Sequence, residues 1–413
     1  MIYCYFNEDY ENTYNCEYVI NENELLIDVD LGNATSDLMD ELFDEKDNIV
    51  YANTITIIDQ KSKTYIKTFT AFEYHFQTIT GYPYIRAKKS FRSKSYFKTN
   101  IESNLTKLSP NILIDNLIFA HESLDNYYPN KSRHIEHSED LTETRIILKK
   151  NEEINEKLSI NKNNIKLIEF ENNWSYNIGH KDISIEYKNA LKLHFKNKIN
   201  LMEIYKYKDY ISCMFNLYLA TKTPIYSTSF KYENVVYEFY CTNLIYKPNF
   251  KTNINKKLNC DIQIFIKSFL KQISIKQLNT NLLNPFNGKG DVYAEDVFLI
   301  NFRFIELHLK KENPKTWLQM LIKENKPLLN LLKIKYDSKL YLCVETLRNH
   351  YVHEGYYINK NTLEIKYCNG KKKRFTNEII IKYSRLTKAL GFKVMLNDIL
   401  SLNIPDGNIA SLI

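Results

Sequence analysis

Apolar and polar residues alternate along the first half of this chain and fall at helical spacing along the second. Between Val50 and Tyr246 the alternation comes in short runs: Thr54–Ile58, Thr64–Phe69, Asp182–Tyr187, Leu191–Phe195 and Val235–Tyr240. These runs are rich in β-branched and aromatic residues and are separated by Asn, Lys and Gly, the chemistry of strands joined by turns. They predict a mainly antiparallel β domain over residues 50–246, a sandwich or barrel, with one helix near Met202–Tyr207.

Past Lys247–Asn253, read as a boundary loop, the period changes. Ile262, Phe265, Ile266 and Phe269 recur at the spacing of one helix face. A second helix is expected from about Tyr293 to Lys311, apolar over much of its circumference, and a short one over Trp317–Ile322. Another begins at Pro327, a residue suited to a first helical turn. The next is capped by Asp337 or Ser338 and ended by Gly355, with Leu340, Val344, Leu347 and Tyr351 as its core stripe. A strand-like insert follows, Tyr356–Ile358 and Leu363–Cys368, with an Asn369-Gly370 turn leading into Lys371, Lys372, Lys373 and Arg374. A last helix spans about Asn377 to Leu402. The pattern is α+β: an acidic segment 1–49, the β domain 50–246, and a mainly α bundle over 255–413.

Composition changes this picture little. A chain of 413 residues, 44% hydrophobic and 25% charged, is long enough for two or three domains with cores of their own. The net charge of +7 hints at a polyanionic partner, but its distribution says more. Residues 1–50 hold fourteen Asp or Glu and one Lys, so the basic excess belongs to the rest of the chain. That acidic leader reads as a solvated surface or as a screen over the basic body. Seven scattered cysteines with no Cys-x-x-Cys pair fit reduced thiols in a cytoplasmic protein. No uninterrupted apolar stretch is long enough for a membrane span.

Few residues carry chemistry. His134-Ile-Glu-His137 reads as an exposed loop, and Trp174 with the many tyrosines as strand packing. Gly288-Lys289-Gly290 lacks the second Gly-Lys-Ser/Thr of a phosphate-binding loop. Metal ligands are not expected, nor is a cofactor. The helix from Asp337 to Gly355 is different. Asn349 and His353 stand four apart on one face with Arg348 beside them. A guanidinium can pair with a phosphate and stabilise a pentacovalent state, and a near-neutral histidine can move protons on ribose and leaving oxygens. Glu306, on the apolar helix, is either half-buried and paired or part of a thin solvent stripe with Arg303 and Lys310.

Arg348-Asn349-x3-His353, preceded by Leu347 and followed by Glu354-Gly355, resembles the Arg-x4–6-His signature of HEPN-domain ribonucleases, and more narrowly ApeA-type HEPN proteins. Phe298-Leu299 and Phe304-Ile-Glu306-Leu-His308 are similar to the family's earlier helix, and Leu386–Gly391 to its closing leucine-rich helix. The resemblance covers roughly residues 255–403 and implies a helical bundle that dimerises with two motifs facing. It implies RNA cleavage without a metal, leaving a 2′,3′-cyclic phosphate, in bacterial abortive infection against phage. On this pattern His353 is the general acid/base and Arg348 the phosphate clamp. Asn349 positions, Glu306 is an accessory carboxylate orienting Arg348 or His353, and His308 and His350 match less closely. The basic insert and the acidic leader depart from the pattern.

The expectation is therefore an endoribonuclease acting on host RNA such as tRNA, as a homodimer or larger assembly, after sensing a phage product. Lys371, Lys372, Lys373 and Arg374 would contact RNA phosphates. The rival expectations are a non-catalytic HEPN-like RNA-binding or assembly module, and a toxin held by a separate antitoxin.

Overall fold

Runs of Val, Ile, Thr and Tyr in the first half form most of the seventeen strands found among the described residues of the computed structural model. Those residues are 2–7, 9, 11–21, 24–32, 53–81, 84–99, 108–121, 124, 133–137, 144–148, 157–178, 183–220, 227–241, 258–276, 294–310, 316–353, 362–366 and 372–413. The chain makes two compact units. One comprises Met1–Lys157, Leu167–Ile204 and Ile225–Lys251, the other Leu158–Lys166, Tyr205–Pro224 and Thr252–Ile413.

The strands up to Thr99 are β1 (Ile2–Phe6), β2 (Tyr14–Ile20), β3 (Leu25–Asp30), β4 (Asn53–Asp59), β5 (Thr64–Gly81), β6 (Tyr84–Ser93) and β7 (Ser95–Thr99). Antiparallel pairing runs β1–β2–β3–β6–β5–β4 and returns to β1, closing a six-stranded barrel. Closure removes the free edges that an open sheet would leave. Every second residue faces a common core: Cys4 and Phe6, Leu25, Ile27 and Val29, Ile55 and Ile57, with Phe91 across from Phe6 at 5.4 Å. The sheet extends from β5 through β7 into later strands. The strands that follow β7 in the first half of the chain are β8 (Leu113–Ala120), β9 (Arg133–His137), β10 (Thr144–Leu148), β11 (Lys157–Lys162), β12 (Ile165–Ile178), β13 (Ile183–Asn200), β14 (Ser227–Tyr232) and β15 (Val235–Cys241). The full order is β11-β12-β13-β8-β14-β15-β7-β5-β4-β1-β2-β3-β6, with β9 and β10 as a separate pair.

Three expectations change here. The acidic segment 1–49 is not a leader in its described part, because β1, β2 and β3 are barrel staves. In β2 and β3 the acidic Glu17 and Asp28 are exposed on the outward alternation while Cys16, Ile27 and Val29 are buried. The run 182–187, from Ile183 on, and the run 191–195 belong to the single strand β13, whose register shifts between His194 and Ile199. His134–His137 lies in β9, paired with β10, and is not a loop.

The helix foreseen near Met202–Tyr207 is α1 (Ile204–Leu219), sixteen residues long. It enters through a 3₁₀ turn, Leu201–Glu203, fixed by a reciprocal capping box between Asn200 and Glu203. It belongs to the second unit, beside α2 (Ile262–Gln272), with Tyr210 on Phe269 at 5.2 Å and Tyr218 on Phe265 at 5.1 Å. The β11–β12 turn joins them through Asn163, in the left-handed region at φ 56°. Its amide donates to the Ile273 carbonyl at 2.8 Å and to the Tyr210 hydroxyl at 3.0 Å, and its Oδ1 accepts from the Ile275 amide. Asp261 caps α2 by accepting from the Gln263 and Ile264 amides.

The remaining helices are α3 (Ala294–Leu309), α4 (Trp317–Glu324), α5 (Lys326–Leu331), α6 (Leu340–His353), α7 (Asn377–Lys393) and α8 (Asp406–Leu412). Pro327 sits in the first turn of α5, where its missing N–H costs nothing. The final helix expected to Leu402 ends at Lys393 and passes into a π-helical turn, Val394–Ile399. Between α6 and α7 lies a hairpin of β16 (Thr362–Lys366) and β17 (Lys372–Thr376). Residues 33–49, Gly288–Gly290, Glu354–Ile358, Cys368–Gly370 and Lys371 fall outside the described residues.

Candidate functional site

Helix α6 buries Leu340, Cys343, Val344, Leu347 and Tyr351 and exposes Leu342, Glu345, Asn349 and Val352. The buried set contains the whole core stripe expected from spacing. Asp337 starts the helix: its carboxylate accepts from the Lys339 amide at 2.9 Å and its carbonyl from the Leu340 amide. Arg348 stands at the border of the two faces, its side chain 25% exposed.

Three groups hold the Arg348 guanidinium. Nη1 donates to Asn349 Oδ1 at 2.9 Å, and Nη2 donates to Glu306 Oε2 at 3.3 Å. The Phe302 ring lies under Cζ at 5.9 Å, a cation–π contact. Phe302 is itself fixed edge-on by Trp317 at 5.4 Å and tilted against Phe298 at 6.0 Å. Glu306 is 17% exposed, and its other oxygen accepts from Lys310 Nζ at 2.8 Å. Glu306 thus combines both alternatives open from sequence: it is largely buried and paired with Arg348, and it also pairs with Lys310 along its own helix. Arg348 Nε is shut off from solvent without a hydrogen-bond partner among the described residues. A buried donor left unmade costs about 1–3 kcal/mol.

Of the expected site residues, Arg348, Asn349 and Glu306 come together. His353 is the last residue of α6, where the backbone alone is described. His350, one helical turn before it, is half-buried with its ring at 5.9 Å from Tyr351, and His308 is half-buried near the end of α3. The described part of the Lys371–Arg374 tetrad is strand. Lys372, Lys373 and Arg374 lie in β17, in register with Lys366, Ile365 and Glu364. Phe302 and Lys310 were not assigned to the site from sequence. Their signal was present, since Phe302, Glu306 and Lys310 follow each other at four-residue steps on one helix face.

A second polar cluster lies on the β unit. His194 Nε2 is 2.9 Å from Glu169 Oε2, and Lys157 Nζ is 3.6 Å from Glu169 Oε1. Burial raises the Glu169 pKa, but the His194 hydrogen bond and the charges of Lys157 and Lys192 outweigh it, and the net shift is downward. Among the described residues no three His, Cys, Asp or Glu side chains gather as metal ligands would. No described helix is long and apolar enough to cross a membrane.

Comparison with protein-family models, with curated proteins and with solved structures finds no match to this chain.

Proposed function

We propose that the chain is a metal-independent endoribonuclease of the HEPN type, with Arg348, Asn349 and His353 as the catalytic group and Glu306 as the carboxylate behind Arg348. The observation that supports it is the held guanidinium, fixed by Asn349, Glu306 and Phe302 while one side remains partly open to solvent. A fixed, delocalised cation at a solvent border is what stabilises charge developing on a phosphodiester. In this reading His353 takes the proton from a ribose 2′-hydroxyl, O2′ bonds to phosphorus, and the P–O5′ bond breaks as O5′ gains a proton. The products are a 2′,3′-cyclic phosphate and a 5′-hydroxyl.

The wider reading rests on the resemblance of Arg348–Gly355 and Phe298–His308 to ApeA-type proteins. It is a cytoplasmic anti-phage enzyme, homodimeric or larger, cutting host RNA such as tRNA when a phage product is sensed. In the same reading Lys371, Lys372, Lys373 and Arg374 would contact RNA phosphates.

RNA cleavage in EDTA tests the core of this. Wild type cuts, and His353→Ala loses ~10²-fold or more while keeping its sedimentation behaviour, as removal of a general acid/base requires. RNA that binds but is never cut by wild type would instead mean a non-catalytic RNA-binding module. Activity that appears only after a second small protein is stripped away would mean a toxin.

A further inference from the structure

Two cations share the single Glu306 carboxylate. Lys310 Nζ holds Oε1 at 2.8 Å and Arg348 Nη2 holds Oε2 at 3.3 Å. A phosphodiester carries the same charge and also offers two unbridged oxygens. Arginine grips such a group best along one edge, with two parallel N–H donors. On the Nε/Nη2 edge of Arg348, Glu306 takes only Nη2, at the long end of hydrogen-bonding distance, and Nε has no partner among the described residues. The edge is half-filled.

We infer that Glu306 is a displaceable placeholder in an RNA phosphate site, and that Lys310 is its second cationic ligand. An arriving phosphodiester displaces the Glu306 carboxylate toward water and takes its place on Nη2 and the Lys310 ammonium, and the edge so opened gives it Nε, which the resting site shuts off from solvent. Asn349 keeps Nη1 throughout, so the guanidinium plane stays in place during the exchange. The resting site is thereby held partly neutral, and RNA binds against an internal competitor. This rests on the ribonuclease reading of the same site and goes beyond it in making Glu306 oppose binding and Lys310 support it.

The probe is a short single-stranded 2′-O-methyl RNA, which has no 2′-hydroxyl to attack and is not cut. Its binding is followed by fluorescence anisotropy over a salt series, and cleavage of unmodified RNA in EDTA is measured in parallel. Glu306→Gln keeps the shape and removes the charge, so the probe binds about fivefold more tightly, the size of one lost ionic competitor. Lys310→Met binds about fivefold more weakly. Its slope of log affinity against log salt is shallower by about 0.7, the loss of one phosphate contact on a single strand. A Glu306 that only positions Arg348 gives the opposite sign, with Glu306→Gln binding equally or less tightly, and that result overturns the placeholder. An unchanged salt slope in Lys310→Met overturns the role given to Lys310. If wild type cuts RNA but these binding shifts are absent, the inference fails and the ribonuclease reading stands. If the shifts appear without cleavage, the reverse holds.

Discussion

Arg348 holds Asn349 through one nitrogen, Glu306 through another and the Phe302 ring through its face, which no lysine can do at once. An ammonium at this position keeps the charge but loses the plane and the fork. Arg348→Lys is therefore expected to lower RNA cleavage by ~10² or more, as other preorganised charge stabilisers do when removed. Its thermal unfolding should stay close to wild type, because the side chain sits at the border of the helix and not in the core. Cleavage rate and melting curve on one preparation check this, and a protein that cuts normally removes Arg348 from the chemistry. How this site could be read from sequence depends on distance along the chain. Arg348 next to Asn349 follows from helical geometry, and the Phe302, Glu306, Lys310 series follows from four-residue steps. The Glu306–Arg348 pair joins residues 42 apart, and only the packing of α3 against α6 creates it.

Helices α3 and α7 meet at a place where one atom decides the spacing. A Cβ added at Gly391 would lie 2.8 Å from Asn301 Oδ1, closer than side chains tolerate. Asn301 cannot swing away freely, since its amide donates to the Val297 carbonyl at 2.8 Å and the residue is 4% exposed. Gly391→Ala should thus cost about 1–3 kcal/mol of overpacking strain. Adding Asn301→Ala to Gly391→Ala should recover part of that loss, and a double-mutant cycle by urea unfolding measures the coupling. Additive effects would mean that the two helices do not meet through this pair. At this scale the helices were legible: the stripe of α6, its Asp337 cap and the Pro327 start all stand where spacing and cap chemistry put them. The first three strands were not, because charged residues on outward positions of β2 and β3 hid an alternation whose inward half is Cys16, Leu25, Ile27 and Val29. The Leu158–Lys166 turn and α1 were read with the β half for want of any local signal. Their place in the helical unit comes from Asn163, Tyr210 and Tyr218, whose partners lie far along the chain.

Each compact unit is assembled from three chain segments, and this constrains how the whole molecule can be divided and how it responds to acid. Residues 255–413 expressed alone would lack α1 and the Asn163 turn, leaving Phe265, Phe269 and Ile273, all fully buried here, without their cover. Burial of a side chain of this size contributes about 1.5–3 kcal/mol, so that fragment should unfold without a cooperative transition. Acid sensitivity is expected in the β unit, from one buried imidazole. His121 is 0% exposed, and burial pushes its pKa down from 6.5 to about 3. A depressed folded-state pKa contributes stability that is present above the unfolded value and lost as pH falls from there toward the folded value. In the unfolded chain the imidazole protonates below pH 6.5, whereas in the folded unit it stays neutral until about 3. Between pH 7 and pH 5 this one group should therefore remove about 2 kcal/mol of stability. The two tryptophans allow the effect to be assigned, because Trp174 belongs to the β unit and Trp317 to the helical unit. In a Trp317→Phe background, urea unfolding followed by Trp174 fluorescence should move to lower urea on acidification, and His121→Gln should flatten that dependence. A Trp174 transition whose pH dependence ignores His121→Gln would place the acid-sensitive group elsewhere.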